Sequence, residues 1–209
     1  MKNKSLLILA LLFSVTVCNA QILKVSNGIA ISKLTSNGKT YDRSMTSYYI
    51  ATGIEYLSSQ YYEFCTALGF YQKGGTQDIQ VNGEDEIISP NIKNQIKYIH
   101  LNTIFRGKLP LKLITFFVGI GPKVDILLKS KSNVDRKYIQ DTSFDLHGSR
   151  LNHILWGIEP QIGIMRELNK IKLELSTSYL YDIGHLDNQH NNAKGNAFVM
   201  MLSVGYRFK

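Results

Sequence analysis

The stretch NAFVMMLSVGYRFK, residues 196–209, decides the fold. Phe198, Met200, Leu202, Val204, Tyr206 and Phe208 share one parity, and Ala197, Val199, Met201, Ser203, Gly205 and Arg207 share the other. Successive side chains of a strand point to opposite faces, so one face here is bulky and apolar and the other mostly small or charged. In a soluble sandwich the second face would carry Lys, Glu and Thr toward water. Ala, Ser and Gly suit a cramped, partly polar space, so the alternation predicts a closed barrel in a membrane, apolar outside and selectively filled within.

The same alternation recurs upstream. In 23–34, Ile29 and Ile31 oppose Gly28, Ala30 and Ser32; in 48–56, Tyr48, Ile50, Thr52, Ile54 and Tyr56 oppose Tyr49, Ala51, Gly53 and Glu55. That second set has aromatics at both ends and aliphatics between, as aromatic girdles around an apolar band require. Further strands are predicted over 61–73, 95–106, 113–129, 152–166 and 172–181, with the last near 196–208. In 113–129 the outward stripe places Val118 near the middle of the bilayer and Leu128 near its rim. Pro122 and Pro160 interrupt their ladders and predict a bulge or the membrane rim. Polar loops at 35–43 (with the turn pair Asn37 and Gly38), 74–94 (holding Glu84, Asp85, Glu86 and Pro90), 130–150 and 182–195 alternate with short turns at 58–60, 107–112 and 167–170. The expected fold is all-β: a single antiparallel up-and-down transmembrane β-barrel of about eight strands. Short turns on the side of the termini place both termini in the periplasm.

Residues 1–20 read as a signal peptide. Lys2 and Lys4 precede an apolar run over 6–17, and Ala20 stands before Gln21. The run is well short of the ~20 residues that a helix needs to span a bilayer, and no longer apolar run follows. An alternative, acylation of Cys18, lacks the small residues such a site needs, because Val15, Thr16 and Val17 precede it. The barrel then occupies 21–209 with Cys65 as its only cysteine, so no intramolecular disulfide is available. The formal charge of +8 falls to +6 without Lys2 and Lys4. No basic cluster interleaved with aromatics is visible along the chain, which argues against nucleic acid.

The chain resembles the PorT-like outer-membrane β-barrel family. The resemblance is carried by the signal peptide, by YYEFCTALGFYQKGG (61–75), by GIGPKVDILL (119–128) and by the terminal VGYRF (204–208). It implies a small integral barrel of the outer membrane, with some members linked to protein secretion and gliding-type machinery. It also implies that Tyr206 and Phe208 form a C-terminal signal read by the barrel-assembly machinery, although here Lys209 follows the final aromatic.

The inward parity carries Glu55, Glu63, Asp125, Glu159 and Glu174 alongside Lys73, Arg106, Lys123, Lys172 and Arg207. Side chains just fill the interior of an eight-stranded barrel, so these charges are expected to pair as a salt-bridged plug; a gated ion path is the alternative. His185, Asp187 and His190 share a loop, but loop histidines near an aspartate are common, and neither a metal nor another cofactor is expected. No Gly-x-Ser-x-Gly, His-Glu-x-x-His or phosphate-loop motif occurs, so no catalytic role is expected. The expected protein acts through extracellular loops or as a component of a cell-envelope or secretion assembly. Its expected partners are outer-membrane lipid and an unknown extracellular or envelope protein. The rival readings are a soluble periplasmic lipocalin-like barrel, with the apolar parity turned inward, and an outer-membrane enzyme.

Overall fold

A computed structural model describes residues 22–36, 39–40, 43–78, 81–82, 87–88, 91–133, 151–186 and 194–208. Residues 1–20, Asn37, Gly38, Glu84 to Glu86, Pro90, Asp187 and His190 therefore lie outside the described residues. Eight long strands alternate in direction: β1 (Ile22–Ser36), β3 (Arg43–Tyr56), β4 (Tyr62–Asp78), β7 (Asn91–Pro110), β8 (Thr115–Asn133), β9 (Ile154–Leu168), β10 (Ile171–Asp182) and β11 (Lys194–Arg207). A short β2 (Lys39–Thr40) pairs with the end of β1, and β5 (Val81–Asn82) pairs with β6 (Ile87–Ile88) in a separate two-stranded sheet. Each long strand pairs antiparallel with the next, and β11 returns to β1, so the sheet closes into a barrel without a free edge.

The register sets the barrel's dimensions. Stepping sideways from Lys24 leads through Gly53, Ala67, Asn102, Lys123 and Gly157 to Asp182. Carrying the β10–β11 register two residues further reaches Gly195, whose partner on β1 is Leu34. The sheet therefore closes ten residues out of step, from 24 to 34. With eight strands ~4.8 Å apart and a rise of ~3.3 Å per residue, that stagger requires a tilt of about 40° and a backbone radius of about 8 Å. Each residue then advances about 2.5 Å along the barrel axis.

Parity determines which side chains face outward. Leu202 is 58% exposed and its neighbour Met201 only 5%. The outward set is a continuous belt of Leu, Ile, Val, Phe and Tyr, far larger than the apolar patches tolerated in water. Aromatics recur eight residues apart on three strands: Tyr48 and Tyr56, Tyr62 and Phe70, Phe198 and Tyr206. Eight residues span about 20 Å along the axis, close to the ~25 Å apolar band between aromatic girdles. The lipocalin-like alternative needs the opposite parity and is overturned by these exposures. Leu202 lies midway between the girdles. Val118, expected at the centre, is paired with Gly107 only three residues into β8, so it lies toward the termini end of the belt.

Two further expectations are corrected. β4, β7 and β8 run well past the predicted ends of their strands, absorbing much of the predicted 74–94 loop and the start of 130–150. Loss of hydropathy alternation marks where lipid contact stops, whereas ladder hydrogen bonds form equally well among polar residues beyond it. The prolines make no bulge, since the β8–β9 register holds through both Pro122 and Pro160. Both are exposed on the outer face, and the paired residues skip Pro122 on the β7 side and Pro160 on the β10 side. Next to Pro122, the backbones come so close that a Cβ on Gly121 would stand 1.9 Å from the Thr103 carbonyl oxygen. At Gly107 the nearest atom would be 3.9 Å away. Gly121→Ala should therefore lower unfolding free energy by about 1–3 kcal/mol in a denaturant titration, against little change for Gly107→Ala. Equal effects would mean that the strands separate freely at this point.

Candidate functional site

The interior is built from inward residues of all eight long strands. At the termini end, Arg106 of β7 lies at its centre. Its Nη1 donates to Glu63 (3.2 Å) and Glu174 (3.0 Å), its Nη2 to Glu174 (3.1 Å) and its Nε to the Gln161 amide oxygen (2.8 Å). The guanidinium lies over the Phe117 ring, 4.6 Å from its centroid. Lys172 Nζ donates to Glu55 (2.7 Å) and Glu63 (3.0 Å), while Lys24 bridges Glu174 (3.2 Å) and Glu55 (3.4 Å). Lys108 closes this layer below, donating to Glu63 (3.2 Å) and Ser58 (3.1 Å).

A second layer lies beyond it; on β7 alone, His100 is six residues from Arg106, about 15 Å along the axis. Lys73 Nζ donates to Asp125 (2.9 Å) and Asp182 (2.7 Å), and Lys123 Nζ contacts the same two carboxylates. Tyr71 donates its hydroxyl to Asp125 (2.7 Å). His100 reaches Asp125 through Nδ1 (2.7 Å) and Glu159 through Nε2 (3.0 Å), so its ring bridges the two acids. Asn102 donates a further hydrogen bond to Glu159 (2.7 Å). Between the layers Ala51, Cys65, Ala67, Ile104 and Met201 leave a cavity of about 10 Å³, the size of one water.

Of the ten charged residues expected inside, nine are buried here: Glu55, Glu63 and Glu174 against Arg106 and Lys172, Asp125 against Lys73 and Lys123, and Glu159 against the His100 ring and Asn102. Arg207 is the exception. It sits at the rim of the termini end, paired with Glu167 at 2.7 Å, both about one-third exposed. It is the last residue of β11, so parity no longer forces it into the lumen. Lys24 and Asp182 are interior members that were not expected. Lys24 continues the small-residue parity of β1, and Asp182 that of β10, but each stands at a strand end where alternation runs out. Tyr206 and Phe208 stack edge to face on the outer surface, 5.3 Å between centroids. His185 is exposed near the start of the last loop.

A tilted barrel of eight antiparallel strands with charges inside and an apolar belt outside has a recognised counterpart. The fold is that of small outer-membrane barrels. The outer membrane protein OprG from Pseudomonas aeruginosa matches at a TM-score of 0.54 with 12% identity, covering 91% of this chain and 97% of that one. Neisserial surface protein A matches at 0.53 with 11% identity, covering 89% and 97%. The outer membrane enzyme PagL is more distant at 0.40, with 11% identity over 88% and 99%. No protein-family model and no curated protein sequence matches the chain, so the likeness shown is to small outer-membrane barrels at the level of the fold. One fold hosts many activities, so function rests on the residues themselves.

Proposed function

We propose that this protein is a sealed, non-catalytic barrel of the outer membrane, with both termini in the periplasm. It acts through its external segments or as a component of a cell-envelope or secretion assembly. The observation that carries this reading is the interior: among the described residues, two layers of buried ion pairs fill the lumen, and the space between them is a cavity no larger than one water. Burying an ion costs several kcal/mol unless its partners are well placed, and a conducting lumen would hydrate these groups rather than pair them. At the end remote from the termini β4, β7 and β8 run well beyond the girdle, an extended sheet suited to a protein partner. Tyr206 and Phe208, exposed at the other end, fit a signal for the barrel-assembly machinery. The protein should fractionate with the outer membrane and, reconstituted in planar bilayers, show no steady conductance. Release with soluble periplasmic proteins, or a single-channel current altered by Lys123→Gln or Glu159→Gln, would overturn the reading.

A further inference from the structure

Just beyond the apolar belt, the β7–β8 pair carries a group of cations that no acid among the described residues balances. Lys97 and Lys129 are direct cross-strand partners, and Lys131 follows two residues on, opposite Gln95. Like charges facing each other across a ladder are destabilising. Among the described residues none of the three ammonium groups has a carboxylate within ion-pair distance, in contrast to the lysines of the lumen.

A bulge produces this arrangement. Tyr98 pairs with Leu127 and Lys97 with Lys129, leaving Leu128 unpaired. Leu127 packs inward against the core, whereas Leu128 is exposed. The extra residue reverses the parity of β8, so Lys129 and Lys131 turn outward instead of continuing the inward series of Lys123 and Asp125. Immediately toward the belt, Leu128, Ile126 and Trp156 are exposed apolar side chains. Lys97 lies about one residue's rise beyond Trp156, in the ~5–7 Å layer where lipid headgroups begin, and lysine side chains extend readily along such a boundary.

We propose that Lys97, Lys129 and Lys131 bind the phosphate groups of an outer-leaflet lipid whose acyl chains lie against Ile126 and Trp156. The inference rests on the outer-membrane reading, with the end remote from the termini facing out. The ligand class is a phosphorylated, multiply acylated glycolipid: the three charges rise away from the membrane in a short row, and the apolar wall continues directly beneath them.

Trp156 is the only tryptophan of the chain and lies at the site, so its emission reports occupancy. The folded mature barrel in neutral detergent is titrated with diphosphoryl lipid A and with its dephosphorylated counterpart. Saturable binding is expected, on the order of 100-fold weaker without the phosphates, taking roughly a fivefold factor per lysine. The variant Lys97→Gln/Lys129→Gln/Lys131→Gln should lose affinity similarly. Lys33→Gln/Lys112→Gln/Lys170→Gln, which removes the same charge from exposed lysines elsewhere, should stay within about twofold. If the first triple variant does not fold, Lys129→Gln alone should weaken binding about fivefold. Equal losses in both triple variants, binding indifferent to phosphate, or equally tight binding of soluble inositol hexakisphosphate would overturn the proposal. Heat-dependent gel mobility, tested on each protein, separates these failures from failure of the membrane-barrel reading itself.

Discussion

Replacing Arg106 with methionine should lower the free energy of unfolding by about 3–5 kcal/mol, the loss typical when one partner of a buried ionic group is removed. Methionine fills much of the arginine volume, so the loss comes from stranded charge rather than from a cavity. Glu174 would keep only Lys24 and the Ser176 hydroxyl, Glu63 would lose its guanidinium contact, and the Gln161 amide oxygen would lose its donor. The titration, in detergent or lipid vesicles with Trp156 emission as the signal, should show partial rescue in Arg106→Met/Glu174→Gln. The double variant removes one charge of each sign and returns the layer toward balance. A loss below about 1 kcal/mol with no coupling between the two sites is what a hydrated lumen produces, and that result would sink the sealed-barrel reading.

Leu202→Arg should cost about 2–4 kcal/mol and block assembly, because this side chain lies halfway between the aromatics at 198 and 206 and points outward. Leu128→Arg, beyond the upper aromatics and beside Lys129, should cost no more than about 1 kcal/mol. The contrast is read from the fraction of protein that acquires heat-modifiable mobility after folding into vesicles, and from its unfolding midpoint. Equal tolerance at the two positions would mean that the belt does not contact hydrocarbon. The comparison tests height in the bilayer rather than burial, since both side chains are about half exposed.

The barrel was legible in the sequence because lipid demands an apolar side chain at every second position, and the lumen accepts only small or paired residues. Strands such as β3 and β11 meet both demands along nearly their whole length. Alternation became silent where lipid contact ends, and so the extensions of β7 and β8 could not be told from loop. The same limit hid Asp182, one residue past the last apolar side chain of β10, and drew Arg207 into the lumen although it stands at the rim. The inward acids and bases were readable by parity, but not their partners. Partnership depends on the stagger of the sheet, which brings Arg106 within reach of Glu174 across four strands and leaves His100 with Asp125 and Glu159. The bulge at Leu128 has no signature in the residues around it; it is visible only as a mismatch between the two strands' counts.

The ion pairs of the termini-end layer also join residues far apart along the chain: Lys24 and Glu174 are 150 residues apart, Lys172 and Glu55 are 117. Lys24 belongs to the first strand, and its acidic partner to the last but one. A half-built sheet cannot neutralise either group, and its open seam would carry hydrated charges to the edge of the hydrocarbon. Entry into the bilayer strand by strand is therefore penalised, and entry together with closure is favoured. Folding and insertion become a single concerted transition, in which the electrostatics of the lumen act as a check that the first and last strands have met.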